Sequence, residues 1–71
     1  MERAAAEAIT ELLEGAVMRL SKSLLHAQQA LPSSEFGAFQ RSVGLAIGRL
    51  SHELLDPIYA EHPDLAPPGV L

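Results

Sequence analysis

Apolar residues recur every three or four positions over two long stretches of this chain, and a proline separates the stretches. The first stripe is Ile9, Leu13, Ala16, Leu20, Leu24, Ala27 and Leu31. The second is Phe36, Phe39, Val43, Ala46, Ile47, Leu50 and Leu54. Because an α-helix repeats every 3.6 residues, this spacing is typical of helices with one apolar face. The sequence therefore predicts helices over residues 4–31 and 34–55.

The connection between the two stretches is short. Pro32 cannot continue the hydrogen bonds of the first helix, and it disfavours helical backbone angles at Leu31. Ser33 or Ser34 can then cap the second helix by accepting a backbone N–H bond. A connection of this length makes the helices antiparallel neighbours. The predicted fold class is all-α, with an antiparallel two-helix hairpin as its core.

Beyond residue 55 the pattern changes twice. Asp56 followed by Pro57 is typical of a helix start, with the aspartate as cap, and it predicts a short helical turn over residues 57–61. The last ten residues, 62–71, contain three prolines and a glycine, which predicts an extended tail. The tail is either loose or packed across the hairpin through Leu65, Val70 and Leu71. We thus divide the chain into a hairpin domain, 1–61, and a proline-rich tail, 62–71.

The chain is so short that apolar surface left in contact with water would cost it stability. It has 71 residues and no cysteine, which leaves oligomerisation as the simplest additional source of stability. Each stripe is also wider than one helix–helix seam requires, since Leu12 and Val17 flank the first stripe and Phe39 and Ile47 flank the second. We expect a homodimer that forms a four-helix bundle. A higher oligomer, a heteromer and a monomer closed by its own tail are the alternatives.

Two groups of residues are candidates for contacts. The predicted packing or interface group is Gly37, Gly44, Gly48, Leu12, Val17, Leu20, Phe39, Ile47 and Leu50. Its glycines form a line of small residues that would let another helix approach closely; that helix could belong to the assembly or to an external partner. A second contact surface could use the isolated apolar residues Met18, Leu25 and Leu45, although scattered exposed apolar residues are common.

Charge and motif content argue against several classes of function. The net charge is −4 and no basic patch is present, so we expect no binding to nucleic acid or to an anionic membrane. No apolar run reaches the ~18 residues of a membrane span, and the acidic start lacks the apolar centre of a secretory signal, so a cytoplasmic protein is expected. No residue is assigned a catalytic, cofactor-binding or metal-ligating role, because cysteine and a Gly-x-Ser-x-Gly motif are absent and no histidine follows a glutamate at the spacing of di-metal bundles.

These patterns favour a non-enzymatic interaction or structural module. Its expected partner is a second copy of the chain, and another protein is a further candidate. The alternative is a small-ligand or regulatory binding protein with a pocket between the helices, near the glycine line and the two phenylalanines, Phe36 and Phe39. Neither version requires a cofactor.

Overall fold

The computed structural model describes residues 1–68, and these residues contain helices but no β-strand. Helix α1 comprises Arg3–Ala30 and helix α2 comprises Ser33–Leu50. A π-helical segment, Ser51–Leu55, leads without a break into helix α3, Asp56–Glu61, and a 3₁₀ turn follows at Pro63–Leu65. The predicted all-α hairpin of two long helices is confirmed.

The ends of α1 follow from its neighbouring residues. The side chain of Glu2 caps the N-terminus by accepting a hydrogen bond from the N–H of Ala4 at 3.3 Å. At the other end Leu31 is extended, with φ −109° and ψ 147°, as expected for a residue that precedes proline. The predicted end of the first helix is therefore confirmed to within one residue.

The start of α2 differs from the prediction. The N-cap residue is Pro32, and no side chain caps this helix. The carbonyl of Pro32 accepts the N–H of Phe36 at 2.9 Å, so both serines already lie in the first helical turn. The prediction that Ser33 or Ser34 would be the cap is wrong. The fixed φ of proline suits the position just before a helix, so the helix begins earlier than predicted, at Ser33.

The two long helices contact each other along the centre line of each apolar stripe, which we call the seam. Ala27 and Val43 are buried, and Leu20, Ile47 and Leu50 are half-buried. Among residues 1–68, no large side chain is completely shielded from solvent. The core is thus thin, and the apolar residues at the margins of the seam remain accessible.

The helical backbone does not end at residue 55, as the prediction of a helix over 34–55 required. The backbone stays helical from Ser33 to Glu61, and Asp56 has helical backbone angles instead of those of a cap. Its N–H bonds to the carbonyl of Ser51, five residues back. Pro57 explains the change: its ring clashes with the carbonyl four residues earlier in a regular α-helix, and a wider π-turn relieves that clash.

The π-turn also changes which residues belong to the apolar stripe. One additional residue within the turn shifts the face of every residue that follows. Leu54, predicted to lie in the stripe, is 50% exposed, whereas Leu55 is only 5% exposed. Ile58 and Tyr59 on α3 are buried as well.

Helix α3 and the start of the tail return to the N-terminal half of α1. Arg3 donates two hydrogen bonds to the carboxylate of Asp64, one of them 3.0 Å long, and the N-terminal amine pairs with Glu61 at 2.7 Å. These partners hold the pKa of the Asp64 and Glu61 carboxyls below their usual values. At this end of α1, Ala6 and Thr10 are buried.

The tail is only partly extended. Its first residues form the 3₁₀ turn, in which the N–H of Leu65 bonds to the carbonyl of His62 at 3.0 Å. The predicted extended conformation begins at Ala66, with φ −69° and ψ 141°. Leu65 is half-buried, whereas Val70 and Leu71 lie outside the described residues.

Candidate interaction surfaces

The hairpin has two broad faces, and α3 packs against part of one of them. At 100° per residue, Glu14 and Met18 lie on one side of the buried line of α1, and Ile9 and Leu12 lie on the other. Tyr59 of α3 donates a hydrogen bond to Glu14 at 2.9 Å, which identifies the covered side. Leu12 is 75% exposed. The side of α1 that faces away from α3 is therefore apolar and open to solvent.

Helix α2 continues this open surface. In antiparallel helices the corresponding margins of the two stripes point the same way, so Phe39 and Ala46 join the side of Leu12. The π-turn brings Leu54 to that side as well. We call this surface the open face and define its large side chains as Ile9, Leu12, Phe39 and Leu54, all of which are exposed. Within residues 1–68, no segment covers it.

The total exposed surface is larger than expected for a chain of this mass. The chain exposes 5156 Å², whereas a compact monomer of 7.6 kDa exposes about 4,300 Å². The excess, about 850 Å², is close to the ~800 Å² that each partner buries in a protein–protein interface of standard size.

A shallow groove runs along α1 and borders the open face. It encloses about 840 Å³ and is lined by Ala8, Glu11, Leu12, Gly15, Ala16, Arg19 and Leu20. Small residues form its middle, and a carboxylate and a guanidinium lie toward its two ends. A Cβ atom added at Gly15 would meet nothing within 4 Å. The groove is therefore wide enough at its centre to accept side chains from another helix.

A smaller cavity lies on the covered side of the hairpin. It has a volume of about 450 Å³ and is lined by Glu14, Val17, Met18, Ser51, Leu55, Asp56, Tyr59 and Pro67. Burial, and secondarily the hydrogen bond to Glu14, raises the pKa of Tyr59 to about 12. The cavity combines apolar walls with two carboxylates, so a small ligand with an apolar body and a positive charge would be complementary to it.

The predicted interface residues differ in how far they are buried. Val17, Leu20, Ile47 and Leu50 are half-buried, whereas Leu12 and Phe39 are exposed. Leu20 reaches the groove and Val17 lines the cavity. The remaining apolar candidates, Met18, Leu25 and Leu45, are all exposed. Met18 also lines the cavity, which places it apart from the open face.

Within residues 1–68, the glycine line of α2 contacts no other helix. A Cβ atom added at Gly37, Gly44 or Gly48 would meet nothing within 4 Å. These glycines lie in open space, and the cavity lies away from them and from Phe36. The predicted close approach of a second helix at this line stays a prediction.

Several contributors to these surfaces were not identified from the sequence. Glu11 and Arg19 line the groove, although neither belongs to the predicted interface group. The Tyr59–Glu14 hydrogen bond carried no signal in the sequence, since it depends on the path of the chain through the π-turn.

Residues 1–68 contain neither a metal-binding cluster nor a membrane-spanning helix. No group of three or more histidine, aspartate or glutamate side chains in this part of the chain could hold a metal ion. No helix there has both the length and the apolarity needed to cross a membrane. No protein-family model, curated protein or solved structure matches the chain.

Proposed function

We propose that this chain is a non-enzymatic interaction module that acts as a homodimer, with the two hairpins stacked on their open faces as a four-helix bundle. The open face carries the proposal. It presents four large apolar side chains to water in a molecule whose own core is thin. Complete burial of a fully exposed side chain of this kind contributes roughly 1.5–3 kcal/mol. Ile9 and Phe39 are 37% exposed, so each would gain only part of that.

A second copy is the occupant that the surface area favours. The exposed excess fits one half of an interface of standard size. Closed two-fold dimers are also the commonest oligomers, and in them the same surface is used by both subunits. Stacking the open faces would cover the side of each hairpin that lies opposite its own α3.

Replacing Leu12 with aspartate tests this proposal. Leu12 is 75% exposed, so the change leaves the core of the hairpin intact and places a charge in the proposed interface. We expect Leu12→Asp to stay helical by circular dichroism and to elute with the 7.6 kDa mass of one chain in size-exclusion chromatography with light scattering. The unchanged chain should elute at twice that mass.

Leu45→Asp is the matched control. Leu45 is 66% exposed and also lies in a helix, but on the side of α2 that points away from α1 and the open face. The control variant should stay dimeric. A dimeric Leu12→Asp variant, or a monomeric Leu45→Asp variant, would argue against stacking on the open face.

The cavity on the covered side supports a second candidate function, the binding of a small ligand. Its volume, about 450 Å³, lies in the range of ligand sites, and Glu14 and Asp56 favour a cationic ligand. Phenethylamine and phenylacetate form a matched pair of probes with opposite charge. This candidate predicts a rise in melting temperature that depends on concentration for the amine alone. Equal shifts for both probes, or none, would remove it.

A further inference from the structure

We propose that α3 and the 3₁₀ turn form a strap that opens on the π-turn while the hairpin stays folded, and that the cavity on the covered side exists only while this strap is closed. We define the strap as residues 56–65. It lies on the face opposite the proposed dimer interface, so the inference does not depend on the dimer. It bears instead on the second candidate function, because it assigns control of the cavity to the strap.

The strap supplies one wall of the cavity. Asp56 and Tyr59 line the cavity from the strap. Glu14, Val17 and Met18 line it from α1. The hydrogen bond from Tyr59 to Glu14, 2.9 Å long, joins the two walls. Movement of the strap away from α1 therefore separates the walls and removes the cavity.

The far end of the strap is held by exposed polar contacts. The carboxylate of Asp64 accepts two hydrogen bonds from the guanidinium of Arg3, and Nε2 of His62 lies 3.0 Å from the carbonyl oxygen of Met1. The side chains of Arg3 and Asp64 are 50% and 60% exposed. Exposed ion pairs are weak and are screened by salt, so the closure of the strap depends on ionic strength.

The π-turn provides the hinge. It is closed by the hydrogen bond from the N–H of Asp56 to the carbonyl of Ser51, and π-turns inserted in α-helices occur frequently at functional sites. Pro57 has no N–H, so it donates no backbone hydrogen bond to the turn before it. Bending the backbone here therefore breaks fewer hydrogen bonds than bending a regular helix.

The hairpin has a buried seam of its own away from the strap. Ala27 and Val43 are buried, and both lie in the half of the hairpin nearer to Pro32. Within the strap, Ile58 and Tyr59 are the buried residues. Opening of the strap leaves this half of the seam in place, so it exposes less surface than complete unfolding and occurs more often.

A pair of single thiols measures the opening. The chain has no cysteine, so Ile58→Cys and Val43→Cys each introduce one thiol, at positions that are 4% and 5% exposed. We expect a water-soluble maleimide to label the thiol at position 58 faster. Arg3→Gln should accelerate labelling at position 58 roughly two- to fivefold and leave labelling at position 43 unchanged.

Arg19→Gln is the matched control. Arg19 belongs to the same helix as Arg3 but lies sixteen residues further along, roughly 24 Å away along the helix axis. The control removes the same charge and should change labelling at neither position. Raising the ionic strength to about 1 M, where the Debye length is ~3 Å, should accelerate labelling at position 58 more when Arg3 is present than when it is replaced.

Hydrogen exchange in the chain without cysteine gives an independent comparison, which also covers the case in which Ile58→Cys does not fold. The amide of Tyr59 should exchange faster than the amide of Val43, and Arg3→Gln should increase this difference. Equal rates at the two positions, with equal responses to Arg3→Gln, would mean that the strap opens only when the whole chain unfolds, and would overturn the inference.

Phenethylamine separates the strap from the ligand candidate. A cationic ligand that binds between the strap and α1 holds the strap closed, so saturating phenethylamine should slow exchange at Tyr59 and not at Val43. Exchange at Tyr59 that depends on Arg3 but not on phenethylamine would support the strap and argue against the ligand candidate.

Discussion

Thr10 is buried in α1, and its hydroxyl oxygen has no hydrogen-bond partner within residues 1–68. A buried polar atom without a partner lowers stability, whereas a methyl group of similar shape does not. We expect Thr10→Val to raise the free energy of unfolding by about 1 kcal/mol, measured by urea denaturation. Thr10→Ser, which keeps the hydroxyl and removes the methyl group, should lower it. A destabilised valine variant would show that the hydroxyl has a partner.

Tyr59 makes stability sensitive to alkaline pH. Its pKa is raised from 10.0 to about 12, mainly by burial and also by the hydrogen bond to Glu14. Folding thus favours the neutral phenol, and its stabilising contribution is complete below pH 10 and lost as the pH rises toward about 12. We expect the difference in unfolding free energy between the unchanged chain and Tyr59→Phe to decline over this interval. A difference that stays constant from pH 9 to pH 12 would contradict the assignment.

At the scale of elements, the π-turn decides which residues of the second half are core. Leu55 is buried and Leu54 is half exposed. Leu55→Ala should lower the free energy of unfolding by about 2–5 kcal/mol, whereas Leu54→Ala should cost less than about 1 kcal/mol of fold stability. Urea denaturation of both variants at one low chain concentration measures the difference. A larger loss for Leu54→Ala would mean that the turn is a regular α-helix.

The helices themselves could be predicted because their signals are local. The extended conformation of Leu31 follows from the ring of the next residue, Pro32, and the apolar spacing in α1 and α2 needs no knowledge of distant contacts. The π-turn was missed because the prediction extended a period of 3.6 residues through Leu54. In the fold, Pro57 and the return of α3 toward Glu14 require one residue more than that period allows.

The candidate surfaces were only partly predictable, for a similar reason. Exposure of Leu45 followed from its position opposite the apolar stripe. Leu12 was expected at the margin of its stripe, but its openness depends on which side α3 covers, which the spacing of residues does not reveal. The groove between Glu11 and Arg19 was missed because each residue, taken alone, resembles an ordinary solvated charge.

At the scale of the whole molecule, α3 packs against part of one face of the hairpin, and within residues 1–68 nothing packs against the other face. Helix α3 and the start of the tail hold the covered side through Tyr59, Asp64 and their partners on α1. The open face has no equivalent within residues 1–68, and the exposed surface exceeds that of a compact monomer by about the area of one interface half. We propose that a second copy packs against the open face, as α3 packs against the opposite face.

The mass of the unchanged chain in solution tests this account most directly. Light scattering over a dilution series through micromolar concentrations should give twice the 7.6 kDa of a single chain, falling toward one chain at the lowest concentrations. The melting temperature should fall on dilution in parallel, because dissociation exposes the open face. A mass of 7.6 kDa throughout, with a melting temperature independent of concentration, would contradict the account.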